Sequence, residues 1–240
     1  MKLVLRLCQI ILIAVIVISV YQIYHLHLAD KQAEERYKNL QQNYTTQSAN
    51  NEVRPQFTQL EQVNKDIVGW IHLSDSTLNY PVLQAKDNKT YLQHDFEHEA
   101  SRKGSIFMDY RNAIAQPDLN TVIYGHHVGD NTMFDVLEKY LKQSFYDKHK
   151  NIQFDTKYHK YRLEVLSAYQ TTTKDNYIQT HFKTQQAYDK FLKETMRKSV
   201  INTTTEVSAK DKIVTLSTCE DAYSQTSGRI VVVTKLVELK

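Results

Sequence analysis

The chain has 240 residues, a formal charge of +3, and only 5 glycines, 3 prolines and 2 cysteines. A charge this small leaves no nucleic-acid footprint, and so little Gly and Pro excludes collagen-like, linker-like and disordered compositions. The 16 tyrosines, with Val and Ile clustered in short runs, lean toward a β-rich body of one large or two small domains.

The opening stretch, MKLVLRLCQIILIAVIVISVYQIYHLHLAD, carries Lys2 and Arg6 and then runs almost uncharged from Leu7 to Leu28. About 20 helical residues cross roughly 30 Å of hydrocarbon, so residues 1–28 are expected to form a cytoplasmic tip and a transmembrane signal anchor. Basic residues ahead of the apolar run place the N-terminus in the cytoplasm. The expectation is a single-pass protein of the cell membrane with its body outside. A cleaved signal peptide is the competing reading, but VYQIYHLHL follows the run and offers no small-x-small site.

Residues 29–55 are polar and read as a helical stalk that breaks up near NYTTQSANN, with the globular domain over 56–240. FTQLEQVN reads as a short helix, followed by a first strand, IVGWIHL (67–73), with Trp70 inward. Further strands are expected at 78–83, 105–110, 120–126, 151–155, 159–172, 212–218 and 229–239, where alternating or continuous β-branched residues are bounded by polar turns. Two helices interrupt them. TMFDVLEKYL (132–141) has Thr132 as its expected N-cap, and TQQAYDKFLKETMRKS (184–199) sets Ala187, Tyr188, Phe191, Leu192 and Met196 at helical spacing. The fold class is therefore mainly β with helical insertions, a closed eight-stranded β-barrel behind an N-terminal transmembrane helix.

Cys8 lies in or beside the anchor and cannot reach Cys219 in an outer domain, so Cys219 in TLSTCED stands as an unpaired thiol. Taken alone, a free cysteine is as well a small buried hydrophobe. As a nucleophile it acts only as thiolate and needs a neighbouring cation or base. His126 in YGHH ends one expected strand, Cys219 follows another, and Arg229 in SGRIVVV begins the next. A histidine can protonate a leaving amine, and an arginine offers fixed donors to a developing oxyanion. These are the parts of an acyl transferase or a thiol protease.

TLSTC, YGHH with its histidine upstream and the arginine shortly downstream resemble the sortase family, and class B sortases in particular, over roughly residues 60–240. The insertion holding the 184–199 helix and GHHVGDNTMFDVLEKY resemble class B as well. The resemblance implies a cysteine transpeptidase. Cys219 would attack the Thr–Asn bond of an NPQTN-like sorting signal in a secreted protein and form a thioester. An amine of a peptidoglycan precursor cross-bridge, of the lipid II type, would resolve it. His126 would serve as general acid and then base, and Arg229 would hold the carbonyl oxygen or oxyanion. Ser217, Glu220 and Asp221 flank the nucleophile and by the resemblance would shape the pocket or hydrogen-bond the substrate or His126, and Asn88, Leu92, Thr173 and Tyr177 match positions lining the signal groove. No cofactor and no metal is implied.

His127 is a second histidine beside His126, and alternation along a strand points the two to opposite faces. HDFEH (94–98) imitates the zinc motif H-E-x-x-H, but Asp is a methylene too short for its base and no third ligand is evident, so a solvated polar turn is expected. Two rival readings stay open: a thiol peptidase that only hydrolyses its signal, and an inactive anchored module that binds peptides without cutting them.

Overall fold

The computed structural model describes residues 2–48, 54–219 and 228–239, with Cys219 described through its backbone. By compactness the chain divides into Met1–Leu40 and Gln41–Lys240.

The first unit is one helix. It belongs to α1 (Lys2–Ser48), which runs unbroken past the unit limit. Uniformly apolar side chains such as Ile10, Ile16 and Val20 stay exposed along it. Among the described residues this is the one helix long and apolar enough to cross a membrane. A helix exposing apolar groups on every side is matched to hydrocarbon rather than to water.

The second unit is a closed barrel. Its strands are β1 (Ile67–His72), β2 (Asn79–Leu83), β3 (Phe107–Met108), β4 (Asn120–His126), β5 (Asn151–Thr156), β6 (Lys160–Thr172), β7 (Ile213–Cys219) and β8 (Gly228–Leu239). They close in the order β1-β2-β3-β4-β7-β8-β6-β5, with β5 returning to β1. Closure leaves no open sheet edge, so every strand can pair on both sides. The β4–β7 contact is parallel, while β7–β8 and β6–β8 are antiparallel. Continuous runs such as VIYGH and IVVV suit strands buried on both faces, and Val122, Ile123, Val231 and Val232 are fully buried.

The helices are α2 (Arg54–Val63), α3 (Val136–Lys139), α4 (Gln143–Lys148) and α5 (Gln185–Lys198). The Thr184 hydroxyl accepts from the Ala187 N–H at 3.1 Å and caps α5. Tyr188 and Leu192 of α5 then join Leu166, Tyr169, Ile213, Val231 and Val233 in one core cluster. This insertion packs on β6, β7 and β8, and the Tyr188 hydroxyl donates to the Leu119 and Asp211 carbonyls just ahead of β4 and β7.

Two expectations need correction. The helix expected over 132–141 is the single turn α3, and Thr132 does not cap it, because its hydroxyl donates to Asp130. Asp135 instead accepts from the Val128 and Asn131 N–H groups, which folds 128–135 into a compact loop. The strand expected over 105–110 pairs only at Phe107 and Met108. Ser105 is tied to Tyr91 and His94, and Asp109 turns the chain by accepting from the Arg111 N–H. Helix α1 ends at Ser48, inside the NYTTQSANN stretch, and Tyr44 near its end stacks on Trp70 with ring centroids 4.0 Å apart.

Candidate active site

The site begins at the end of β4. Gly125 has no side chain because a Cβ there would lie 2.8 Å from the Phe134 ring. The loop after the strand folds back so that Phe134 N–H donates to the His126 carbonyl at 3.1 Å. The His126 ring is half-buried, and its Nε2 lies 2.8 Å from the Leu92 carbonyl oxygen. A carbonyl only accepts, so this bond assigns the ring hydrogen to Nε2 and leaves Nδ1 with the lone pair of the neutral ring. Nδ1 is buried and has no partner among the described residues. Burial lowers the His126 pKa, the Leu92 carbonyl opposes that, and the positive charge of Arg229 adds to it. The ring is therefore biased toward its neutral form.

Register brings the three sequence candidates together. His126 is the partner of Cys219 across the parallel β4–β7 ladder. On the other side of β7, Ser217 pairs with Val231. Among the described residues the β7–β8 ladder ends at that pair, and just beyond it the Ile230 N–H donates to the Thr218 hydroxyl at 3.0 Å. Arg229 lies next along β8, pairs with Thr171 on β6, and is close enough for its charge to act on the His126 ring. The end of β4, the end of β7 and the start of β8 therefore gather His126, Cys219 and Arg229 at one end of the barrel. An acid or base, a thiol and a fixed guanidinium gathered in this way are what acyl transfer through cysteine requires.

The other described sequence candidates fall in several environments. Ser217 is fully buried, and its hydroxyl is 3.0 Å from that of Tyr177, itself almost fully buried. Asn88 is half-buried and held on both ends of its amide: Nδ2 donates to Asp109 at 3.0 Å and Oδ1 accepts from the Tyr110 N–H at 3.0 Å. Leu92 is half-buried in a short 3-10 turn (Thr90–Leu92) and reaches His126 through its backbone. Thr173 is exposed just past the end of β6. Glu220 and Asp221 lie outside the described residues. A cavity of about 180 Å³ opens beside Tyr177, between α5 and residues 175–179.

His127 belongs to a different environment. Its Nε2 lies 3.2 Å from Glu138 and 3.8 Å from Asp135. HDFEH forms a turn rather than a helix, and it is not simply solvated. Asp95 is fully buried and accepts from the Glu97 and Glu99 N–H groups, while His94 bonds the Thr90 carbonyl. Sequence reasoning missed the ion pair of buried Asp109 with exposed Arg111 behind Asn88. An acid and a base two positions apart, in MDYRN, is too common a pattern to single out.

Comparison with known proteins agrees with this geometry. The sortase domain family matches residues 71–237. Sortase B of Staphylococcus aureus (strain NCTC 8325 / PS 47) is 58% identical over 241 residues, covering 100% of this chain and 99% of the relative. A Staphylococcus aureus sortase B–substrate complex superposes with a TM-score of 0.85 at 62% identity, covering 88% of this chain and 99% of the other. A sortase B complexed with triglycine superposes with the same TM-score and identity, covering 88% of this chain and 100% of the other. The chain belongs to the sortase family. These relatives are class B sortases, and the activity that goes with them is that of a cysteine transpeptidase.

Proposed function

We propose that this enzyme cleaves an NPQTN-like sorting signal between Thr and Asn and joins the secreted protein that carries it to an amine of a lipid II-type peptidoglycan precursor. Cys219 passes its thiol proton to Nδ1 of His126, the thiolate so formed attacks the threonyl carbonyl carbon, and the tetrahedral oxyanion is held by the guanidinium of Arg229. Collapse breaks the C–N bond to Asn, and the leaving amine takes its proton from Nδ1 of His126, giving a thioester on Cys219. The incoming amine then attacks the thioester carbonyl, loses its proton to Nδ1, and expels the Cys219 thiolate. Asn88, Leu92, Thr173 and Tyr177 line the signal groove. Ser217 acts through Tyr177, and Glu220 and Asp221 flank the nucleophile. Residues 1–28 anchor the protein in the membrane with the N-terminus inside, residues 29–55 connect, and the barrel works outside.

The observation that supports this most is the pairing of His126 with Cys219 across β4 and β7, with Arg229 close enough for its charge to act on the His126 ring. Hydrolysis alone is the less favoured reading, because a relative is known in complex with triglycine, an amine-terminated peptide of the kind a cross-bridge would present. Mass spectrometry of the enzyme incubated with an NPQTN peptide tests the proposal. The expected result is an acyl adduct on Cys219 that triglycine converts to a ligated peptide. An adduct that yields only hydrolysed peptide, whatever the amine concentration, would leave a peptidase, and no adduct at all would leave a binding module.

A further inference from the structure

Asp109 has no exposed surface, yet it carries a carboxylate. Its oxygens accept from Tyr124 Oη at 2.8 Å, from Asn88 Nδ2 at 3.0 Å, and from Arg111 Nε and Nη2 at 2.8 and 2.7 Å. Burial pushes its pKa up, but the two donors of Arg111 and the hydroxyl of Tyr124 outweigh that and hold it below the usual carboxylate range. Bidentate pairing of this kind keeps both partners in one orientation.

Arg111 does not stop at Asp109. Its Nη2 also donates to the Ile178 carbonyl at 3.2 Å, in the connection between β6 and α5. That connection is pinned at three consecutive residues by three different barrel groups. Tyr177 is bonded to Ser217 on β7, the Ile178 carbonyl to Arg111, and the Gln179 carbonyl to Asn120 Nδ2 on β4 at 2.9 Å. Across from it, Asn88 is locked by Asp109 and by the Tyr110 N–H, so its amide cannot flip. Neither segment is in a strand ladder, and both would otherwise drift.

We propose that Asp109 and Arg111 form a brace that ties the Asn88 side of the peptide groove to the 177–179 side, which makes both positioning residues for peptide recognition. The proposal rests on the reading above that Asn88 and Tyr177 line that groove. A bound peptide spans both segments, so its affinity depends on their separation, whereas the chemistry at Cys219 depends on His126 and Arg229.

The test is steady-state kinetics of Arg111→Gln and Arg111→Lys with an NPQTN peptide and triglycine, alongside wild type and Cys219→Ala. Arg111→Gln should raise KM about tenfold, the size of a lost charged hydrogen bond, with kcat within roughly threefold of wild type. Arg111→Lys keeps the charge beside Asp109 but has no planar fork to reach Ile178 as well, so its KM should rise less while its melting temperature holds. Combining Arg111→Gln with Asn88→Ala should raise KM by less than the product of the single effects, because the brace acts in part through Asn88. A wild-type KM in folded Arg111→Lys or Arg111→Gln, or a fall in kcat alone that tracks the folded fraction, would overturn the brace. If wild-type enzyme forms no Cys219 adduct with the peptide, the groove reading and the brace fall together. An adduct with unchanged KM in the variants sinks the brace alone.

Discussion

Nε2 of His126 donates to the carbonyl of Leu92, a residue more than thirty positions earlier, and this bond selects the tautomer of the ring. Burial lowers the ring's pKa and the Arg229 charge adds to that, against the pull of the Leu92 carbonyl. Unfolded, the same ring titrates near about 6.5. Between the folded and unfolded values the unfolded chain binds more protons, so His126 favours folding fully above about pH 6.5 and loses that contribution as pH falls through the folded value. Histidine NMR titration should place the His126 midpoint below the ordinary value. His126→Gln should remove the corresponding slope from stability measured between pH 5 and 7, a range set by the ordinary histidine value. A midpoint at or above the ordinary value would contradict the assignment.

Arg229 lies at the start of β8, where its charge acts on the His126 ring, and presents a planar set of donors that cannot lose charge. Arg229→Lys retains the positive charge but not the fork. It should lower kcat/KM about 100-fold or more, in the range seen when an oxyanion donor is removed. Rates of Cys219 acylation measured in single turnover are the direct check. A rate near wild type would show that charge alone suffices and that no oxyanion geometry is involved.

Gly125 is the position where the β4 backbone meets the Phe134 ring, and a Cβ there would also lie 3.3 Å from Ile106. Gly125→Ala forces the ring outward and strains the strand end that carries His126. The expected cost is about 1–3 kcal/mol of stability, with an activity loss larger than the folded fraction accounts for. Adding Phe134→Leu should recover part of both losses, because it removes the clashing ring atoms. Thermal melts and peptide turnover of the two variants check this.

How far the sequence alone led depends on the kind of interaction. β4, β7 and β8 were legible because IVVV and TVIY permit little besides buried strands, and once those strands pair, His126 meets Cys219 by register and the start of β8 brings Arg229 to the same end of the barrel. Helix α3 was misread because TMFDVLEKY has helical spacing, while the Asp135 side chain takes the Val128 and Asn131 N–H groups and confines the helix to one turn. The Asp109–Arg111 pair was invisible because its meaning lies in reaching Asn88 and Ile178, contacts set by the tertiary fold. Tyr44 was assigned to a polar stalk because its neighbours are Gln, Asn and Thr. Nothing local announces that its ring stacks on Trp70.

That stack gives the last prediction. Tyr44 lies nearly parallel to Trp70, with an interplanar angle of 7°, and its hydroxyl donates to Asp155 at 2.6 Å. Gln41 Nε2 donates to the Asn79 carbonyl at 2.6 Å, and Asn79 Oδ1 accepts from the Trp70 indole N–H at 2.7 Å. The end of α1 therefore covers β1, β2 and β5 and helps keep Trp70 at 1% exposure. A chain beginning at Gln41 retains this cover, and one beginning at Gln56 loses it. Loss should cost about 3 kcal/mol or more, by the scale of removing a large aromatic from a core, and lower the melting temperature by roughly 6–12 °C. Tyr44→Phe keeps the stack but removes the hydroxyl from Asp155, and should cost only about 1–2 kcal/mol. Trp70 is the sole tryptophan, so its fluorescence reports exposure directly: a red shift in the Gln56 chain and none in Tyr44→Phe. Equal melting temperatures for the two truncations would show that the α1 end rests on the barrel without stabilising it.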